Sequence, residues 1–252
     1  MAAVGDGAYE PGGRLVAADA EQEAARLRDR LAEVEAEQAT LEAELNAFDA
    51  EYVREVVIVQ AELHAVEAKL LRLVADRSGA DDDALAADAA GARAYETSAA
   101  VKAVPSAGPI PTGDLKKLFR DAAKRMHPDL APDADAREHA EAFMKRLNQA
   151  YRAGDAEAIA DLLRQWEASP FAVSPAGDAP AAARRVTALQ AAVARAERRL
   201  EEVRSSQLAR LMEQAMVATV EGRDLLAEMR AANAAALARA RARLAALQAE
   251  PD

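Results

Sequence analysis

The chain has 252 residues, a formal net charge of −11 at pH 7 and no cysteine. An acidic balance disfavours non-specific binding to phosphates, and the lack of thiols excludes disulfides, thiol nucleophiles, iron–sulfur clusters and zinc–thiolate sites. Only 4% of the residues are aromatic and 30% are charged, while alanine, the strongest helix former, supplies about a quarter of the chain, so long helices are expected rather than sheets or a thick globular core.

Residues 1–16 carry Gly, Asp, Glu and Pro without the apolar run of a signal peptide, and are expected to be disordered. Residues 17–76 contain neither Pro nor Gly. Their larger apolar residues, from Leu27, Leu31 and Val34 through Leu41, Leu45 and Phe48 to Leu70 and Leu73, recur in alternating steps of three and four. That is the stripe of a coiled coil. The spacing predicts one helix of about 60 residues, roughly 90 Å long, which needs a partner helix because its seam is narrow. Consecutive four-residue steps at Phe48, Tyr52 and Val56 form a stutter, which locally unwinds a supercoil. The densest apolar run, Val56-Val57-Ile58-Val59, is far too short to span a bilayer. A cytoplasmic protein with no membrane partner is expected.

Residues 77–111 read as a flexible linker, with a polar breaker at Ser78-Gly79-Ala80-Asp81-Asp82-Asp83 and a Pro-rich end from Val104 to Pro111. A weak alanine-rich helix fits between them. Residues 112–171 read as a small helical domain. Leu115, Leu118, Phe119, Ala122 and Met126 share one face of its first helix, which breaks at His127-Pro128-Asp129 because a residue before proline is pushed out of the α region. Asp133 or Asp135 can cap a second helix, bearing Phe143, Met144, Leu147 and Tyr151. Gly154 ends it, and Asp155 caps a third helix with Ile159, Leu162 and Trp166.

Residues 172–182 read as a second linker, and helical periodicity returns over 183–249 as a C-terminal coiled-coil helix. Its register slips near Ser205-Ser206, and Gly222 is a weak point. The two long segments differ in charge: 17–76 hold 6 basic and 15 acidic residues, and 183–252 hold 12 arginines and 9 acidic residues. Stripes of opposite charge are expected to pair, either with each other in antiparallel fashion or each with its counterpart in a homodimer. In the antiparallel version, the surroundings of Leu27 approach Leu237 or Leu244.

The segment Leu115-Lys116-Lys117-Leu118-Phe119-Arg120-Asp121-Ala122-Ala123-Lys124-Arg125-Met126-His127-Pro128-Asp129 resembles the second helix and HPD loop of the J-domain (DnaJ) co-chaperone family. The likeness continues through Ala142-Phe143-Met144-Lys145-Arg146-Leu147-Asn148-Gln149-Ala150-Tyr151, which is similar to the family's third helix. It spans roughly residues 112–168. Long coils on either side resemble specialised bacterial J-domain-containing proteins.

The resemblance implies a loop that docks on a DnaK-type chaperone ATPase and stimulates its ATP hydrolysis. The loop would be His127, Pro128 and Asp129. The basic face meeting an acidic surface of the partner would be Lys116, Lys117, Arg120 and Lys124. Complementary charge gives fast, salt-sensitive docking of modest affinity, and His127 and Asp129 are expected to project, exposed, from the tip of the hairpin. The family's first helix has no counterpart before Leu115, where Pro109, Ile110 and Pro111 stand, and Leu130 occupies a position where many members have Lys. A neighbouring coil segment, or the Trp166 helix, is expected to cover the hairpin face left open.

The fold expected is therefore all-α, with long coiled-coil helices flanking a small J-like helical hairpin domain. No Gly-rich phosphate loop, nucleophile elbow or paired-carboxylate site is present, so the chain is not expected to be an enzyme or to hold a cofactor or metal. Clients would be gathered by the coils. The alternative is a coiled-coil structural or scaffolding protein with a degenerate J-like domain serving as a folded spacer. Nucleic-acid binding through Arg239, Arg241 and Arg243 ranks third. His64 is expected at a coil flank, His139 in solvent, and Trp166 and Phe171 as packing anchors.

Overall fold

An alanine-rich chain with few breakers should be helical wherever a helix finds something to pack on. In the computed structural model, which describes residues 11–103, 108–131, 133–171 and 179–250, every long element is an α-helix and the fold is all-α. The expected disorder at 1–10 and the linker residues 104–107 and 172–178 lie outside the described residues.

Helix α1 runs from Pro11 to Tyr52. It begins inside the stretch 1–16 expected to be disordered, with a proline where the missing N–H costs nothing. A π-helical turn, Val53–Val57, joins it without interruption to α2, Ile58–Ser78. This turn sits at the stutter. Its wider winding takes up the surplus residue and keeps Val53, Val56 and Val57 buried. Gly79, at φ +63°, closes α2 with its N–H on Ala75 O. Helix α3, Asp81–Lys102, then occupies most of the segment read as flexible linker. The three aspartates read as a breaker form its first turn, where carboxylates are favoured by the exposed N–H groups.

In the small domain, α4 spans Gly113–Met126, with Thr112 Oγ1 accepting from Leu115 N at 3.3 Å. A short 3-10 turn, Pro128–Leu130, leads toward α5, Ala134–Arg152, which Asp133 caps. Gly154 turns the chain at φ +72°, and Asp155 caps α6, Ala156–Glu167. The C-terminal segment, expected as one helix over 183–249, is three. Helix α7 covers Ala179–Arg204, α8 Gln207–Val220 and α9 Leu225–Ala249. Ser206 and Asp224 cap the new starts and Gly222, at φ +76°, ends α8, so the register slip and the isolated glycine are true breaks.

The chain divides into two compact units, Met1–Ala43 with Gly108–Ser205, and Glu44–Ala107 with Ser206–Asp252. In the first, α1 is buried on two faces. Ala24, Leu31 and Val34 pack with Leu189, Ala192, Val193, Ala196 and Leu200 of α7. Ala32, Ala36 and Ala39 pack into the core of the small domain with Leu115, Phe119, Phe143, Leu147, Tyr151, Ile159 and Trp166. The Phe119 and Tyr151 rings lie 4.5 Å apart. Thr40 Oγ1 donates its proton to Ala36 O, so the Tyr151 hydroxyl donates to Thr40 at 2.7 Å. In the second unit, α3 returns antiparallel along α2, with His64 bonded to Thr97 at 2.8 Å and Arg72 to Asp88 at 2.7 Å.

The oppositely charged stripes pair within the chain, but in parallel. Along α1 and α7 the ion pairs are Glu21–Arg185, Arg30–Glu197 and Glu37–Arg204. Along the π-turn, α2 and α9 they are Glu55–Arg230 and Glu62–Arg241. Donating to the Glu197 carboxylate raises the Arg30 guanidinium above its ordinary value. The antiparallel expectation fails because it assumed one hairpin. Here α3 returns along α2, and α7 and α9 each run in the same direction as the helix they pair with. Leu27 and Val186 accordingly pack against the one cluster that holds Leu31, Val34 and Leu189.

Because α1 shares the core of the small domain, Phe143→Ala, which should cost about 3–5 kcal/mol, is expected to melt all of the first unit. Hydrogen exchange should show protection falling over residues 18–43 as well as 113–167, while α2, α3 and α9 keep theirs.

Candidate functional site

The hairpin turn is set by local chemistry. His127 precedes a proline and is extended, at φ −69° and ψ 131°. Pro128 then starts the 3-10 turn, which closes with Ala131 N donating to Pro128 O at 3.1 Å. The backbone N–H of Asp129 donates to His127 Nδ1 at 3.1 Å. The imidazole proton therefore sits on Nε2, which donates to Glu35 Oε1 of α1 at 2.9 Å. Asp129 pairs with Arg195 of α7 at 3.0 Å. Both ring nitrogens are engaged, and the His127 side chain is only 10% exposed.

This corrects the expectation of a projecting tip. The turn is covered, within the first unit, by α1 and α7. A cavity of about 310 Å³ remains beside it, lined among others by Glu35, His127, Asp129, Asn148, Arg195 and Arg199. Glu35 Oε2 is buried and has no hydrogen-bond partner among the described residues.

The basic face divides. Lys117, Arg120 and Lys124, three and four residues apart and so on one side of α4, line a charged groove together with Asp29 and Glu33 of α1. Lys124 reaches Asp29 at 2.9 Å. Lys117 is exposed and Arg120 half-buried; Lys116, also half-buried, lies apart from that groove. Pro128 is half-buried at the cavity wall.

Glu35, Asp29 and Arg195 are the site residues that sequence reasoning missed. Glu35 follows the seam residue Val34, and nothing separates it from the other glutamates of the first coil. The only signal was the bulk charge difference between the two coils.

His139 departs from its expected place in solvent. It is half-buried with its ring 4.9 Å from Phe143, 5.7 Å from Trp166 and 4.7 Å from Phe171. Trp166 and Phe171 pack as anchors. Among the described residues no group of His, Asp and Glu could hold a metal ion, and no helix is long and apolar enough to cross a membrane. Comparison of the chain with protein-family models, curated proteins and solved structures gives no match.

The contacts around the turn should differ in weight. Glu35→Ala leaves the His127 N–H buried without an acceptor and should cost about 1–3 kcal/mol. Arg195→Ala removes a half-exposed ion pair and should stay within about 1 kcal/mol. Urea unfolding followed by the fluorescence of Trp166, the one tryptophan of the chain, reads both.

Proposed function

We propose that this chain is a J-domain-like co-chaperone that stimulates ATP hydrolysis by a DnaK-type chaperone through His127, Pro128 and Asp129. The observation that carries the reading is the hairpin itself. A basic amphipathic helix, a His-Pro-Asp turn with extended His127, and a second helix are held together by Phe119 against Tyr151. Packing of Ala32, Ala36 and Ala39 from α1 supports it further, because it covers the face left open by the missing first helix. Lys117, Arg120 and Lys124 supply the positive face for an acidic partner. The proposed place of action is the cytoplasm, and the chain itself carries no catalytic machinery in this reading; clients would be gathered by the coils.

One observation favours the rival reading of a scaffold with a degenerate hairpin: the polar groups of the turn are satisfied inside the chain. A single-turnover assay with a cognate DnaK-type ATPase separates the two. Asp129→Asn keeps the turn and loses one partly exposed ion pair, so it should cost under about 1 kcal/mol and yet abolish stimulation. Lys117→Glu with Arg120→Glu should instead slow association, and added salt should have the same effect on the unmodified protein. The scaffold reading expects the same hydrolysis rate with every variant as with none.

A further inference from the structure

Three of the groups that would meet an ATPase partner already have partners. His127 Nε2 is on Glu35 of α1, Lys124 on Asp29 of α1, and Asp129 on Arg195 of α7. The chemistry of this cover follows that expected of the partner. Carboxylates of α1 meet the imidazole and Lys124, while along the groove that holds Lys117 and Arg120 the α1 wall carries Arg26 and Arg30 beside Asp29 and Glu33, with Arg30 paired to Glu33. The His127 imidazole, 10% exposed, offers little surface to a second protein until the cover moves, while Pro128 and Asp129 are half-buried.

We propose that α1 and α7 form an internal substitute for the ATPase partner, so that the folded chain is self-inhibited and the His127–Asp129 turn becomes competent only when it leaves Glu35 and Arg195. The proposal rests on the co-chaperone reading and adds its regulation. The cover is built to release. Its outer ion pairs are half-exposed, with Asp29 at 65% and Arg195 at 47% side-chain exposure, and exposed pairs are individually weak and screened by salt. Docking of a true partner competes for the same charges, and apparent affinity falls in proportion to the fraction of molecules that are open.

The test opens and locks the cover in the full chain. Asp29→Lys with Arg195→Glu sets like charges against Lys124 and Asp129 while leaving the turn itself unchanged. It should stimulate a cognate DnaK-type ATPase at about a tenfold lower concentration than the unmodified protein, and adding Asp129→Asn should abolish the gain. For the lock, Arg30→Cys with Glu197→Cys, in a chain that has no other cysteine, is joined by a short bis-maleimide across α1 and α7. The joined protein should lose stimulation that the unjoined variant retains. If the opened variant is no more potent than the unmodified chain, or the joined protein stimulates as strongly as the unjoined one, self-inhibition is overturned and the co-chaperone reading stands. If no variant stimulates while each keeps its helical circular dichroism and Trp166 fluorescence, the co-chaperone reading falls and self-inhibition with it. Should the charge reversals unfold the first unit, the joined and unjoined proteins decide alone.

Discussion

The first unit depends on one helix being buried along two faces. Leucine and valine of α1 form the seam against α7, and alanines at positions 32, 36 and 39 form a second stripe against the small domain. The two stripes do different work. Branched side chains fill the seam and contribute area. The alanines contribute little area but let the backbone of α1 come close enough for Thr40 to reach the Tyr151 hydroxyl and for Glu35 to reach His127. A larger residue at Ala36 would hold α4 and α5 away and separate those polar pairs, since packed cores do not absorb added volume freely.

How much of this was legible in the sequence follows from which residues carry it. The capped helices of the small domain were readable, because Asp133, Gly154 and Asp155 act locally and their chemistry does not depend on what lies far away. The seam of α1 was readable from its period. The second stripe was not, because alanine is also the commonest filler of an exposed helix and gives no contrast in an alanine-rich chain. The same difficulty hid α3, where the buried residues are Ala87 and Ala90 and the large side chains Leu85 and Tyr95 face solvent. Direction was misread for a further reason. Charge complementarity between two stripes is the same whichever way they run, and only the return of the chain along α2 distinguishes the cases.

The candidate site shows the same division between local and distant. The extended backbone of His127 and the turn at Pro128 follow from the tripeptide alone. Whether the turn is open follows from Glu35 and Arg195, which lie 92 and 66 positions from their respective partners. A short motif thus specifies a shape, and residues far along the chain specify its availability. Inside an apolar hairpin with no neighbours, His127 and Asp129 would be free. Between an acidic helix and an arginine-bearing one they are taken up.

The parallel course of α1 and α7 has a consequence during synthesis. Arg30 and Glu197 are 167 residues apart, and a ribosome adds about 5–20 residues per second, so the seam of α1 waits roughly ten to thirty seconds for its partner stripe. Contacts so distant in sequence are slow to form, because the loop between them must be ordered first. Throughout that interval the nascent chain displays Leu27, Leu31, Val34 and Leu41 to the surrounding solution. While it is being made, it has the exposed apolar surface of the very substrates that chaperones bind.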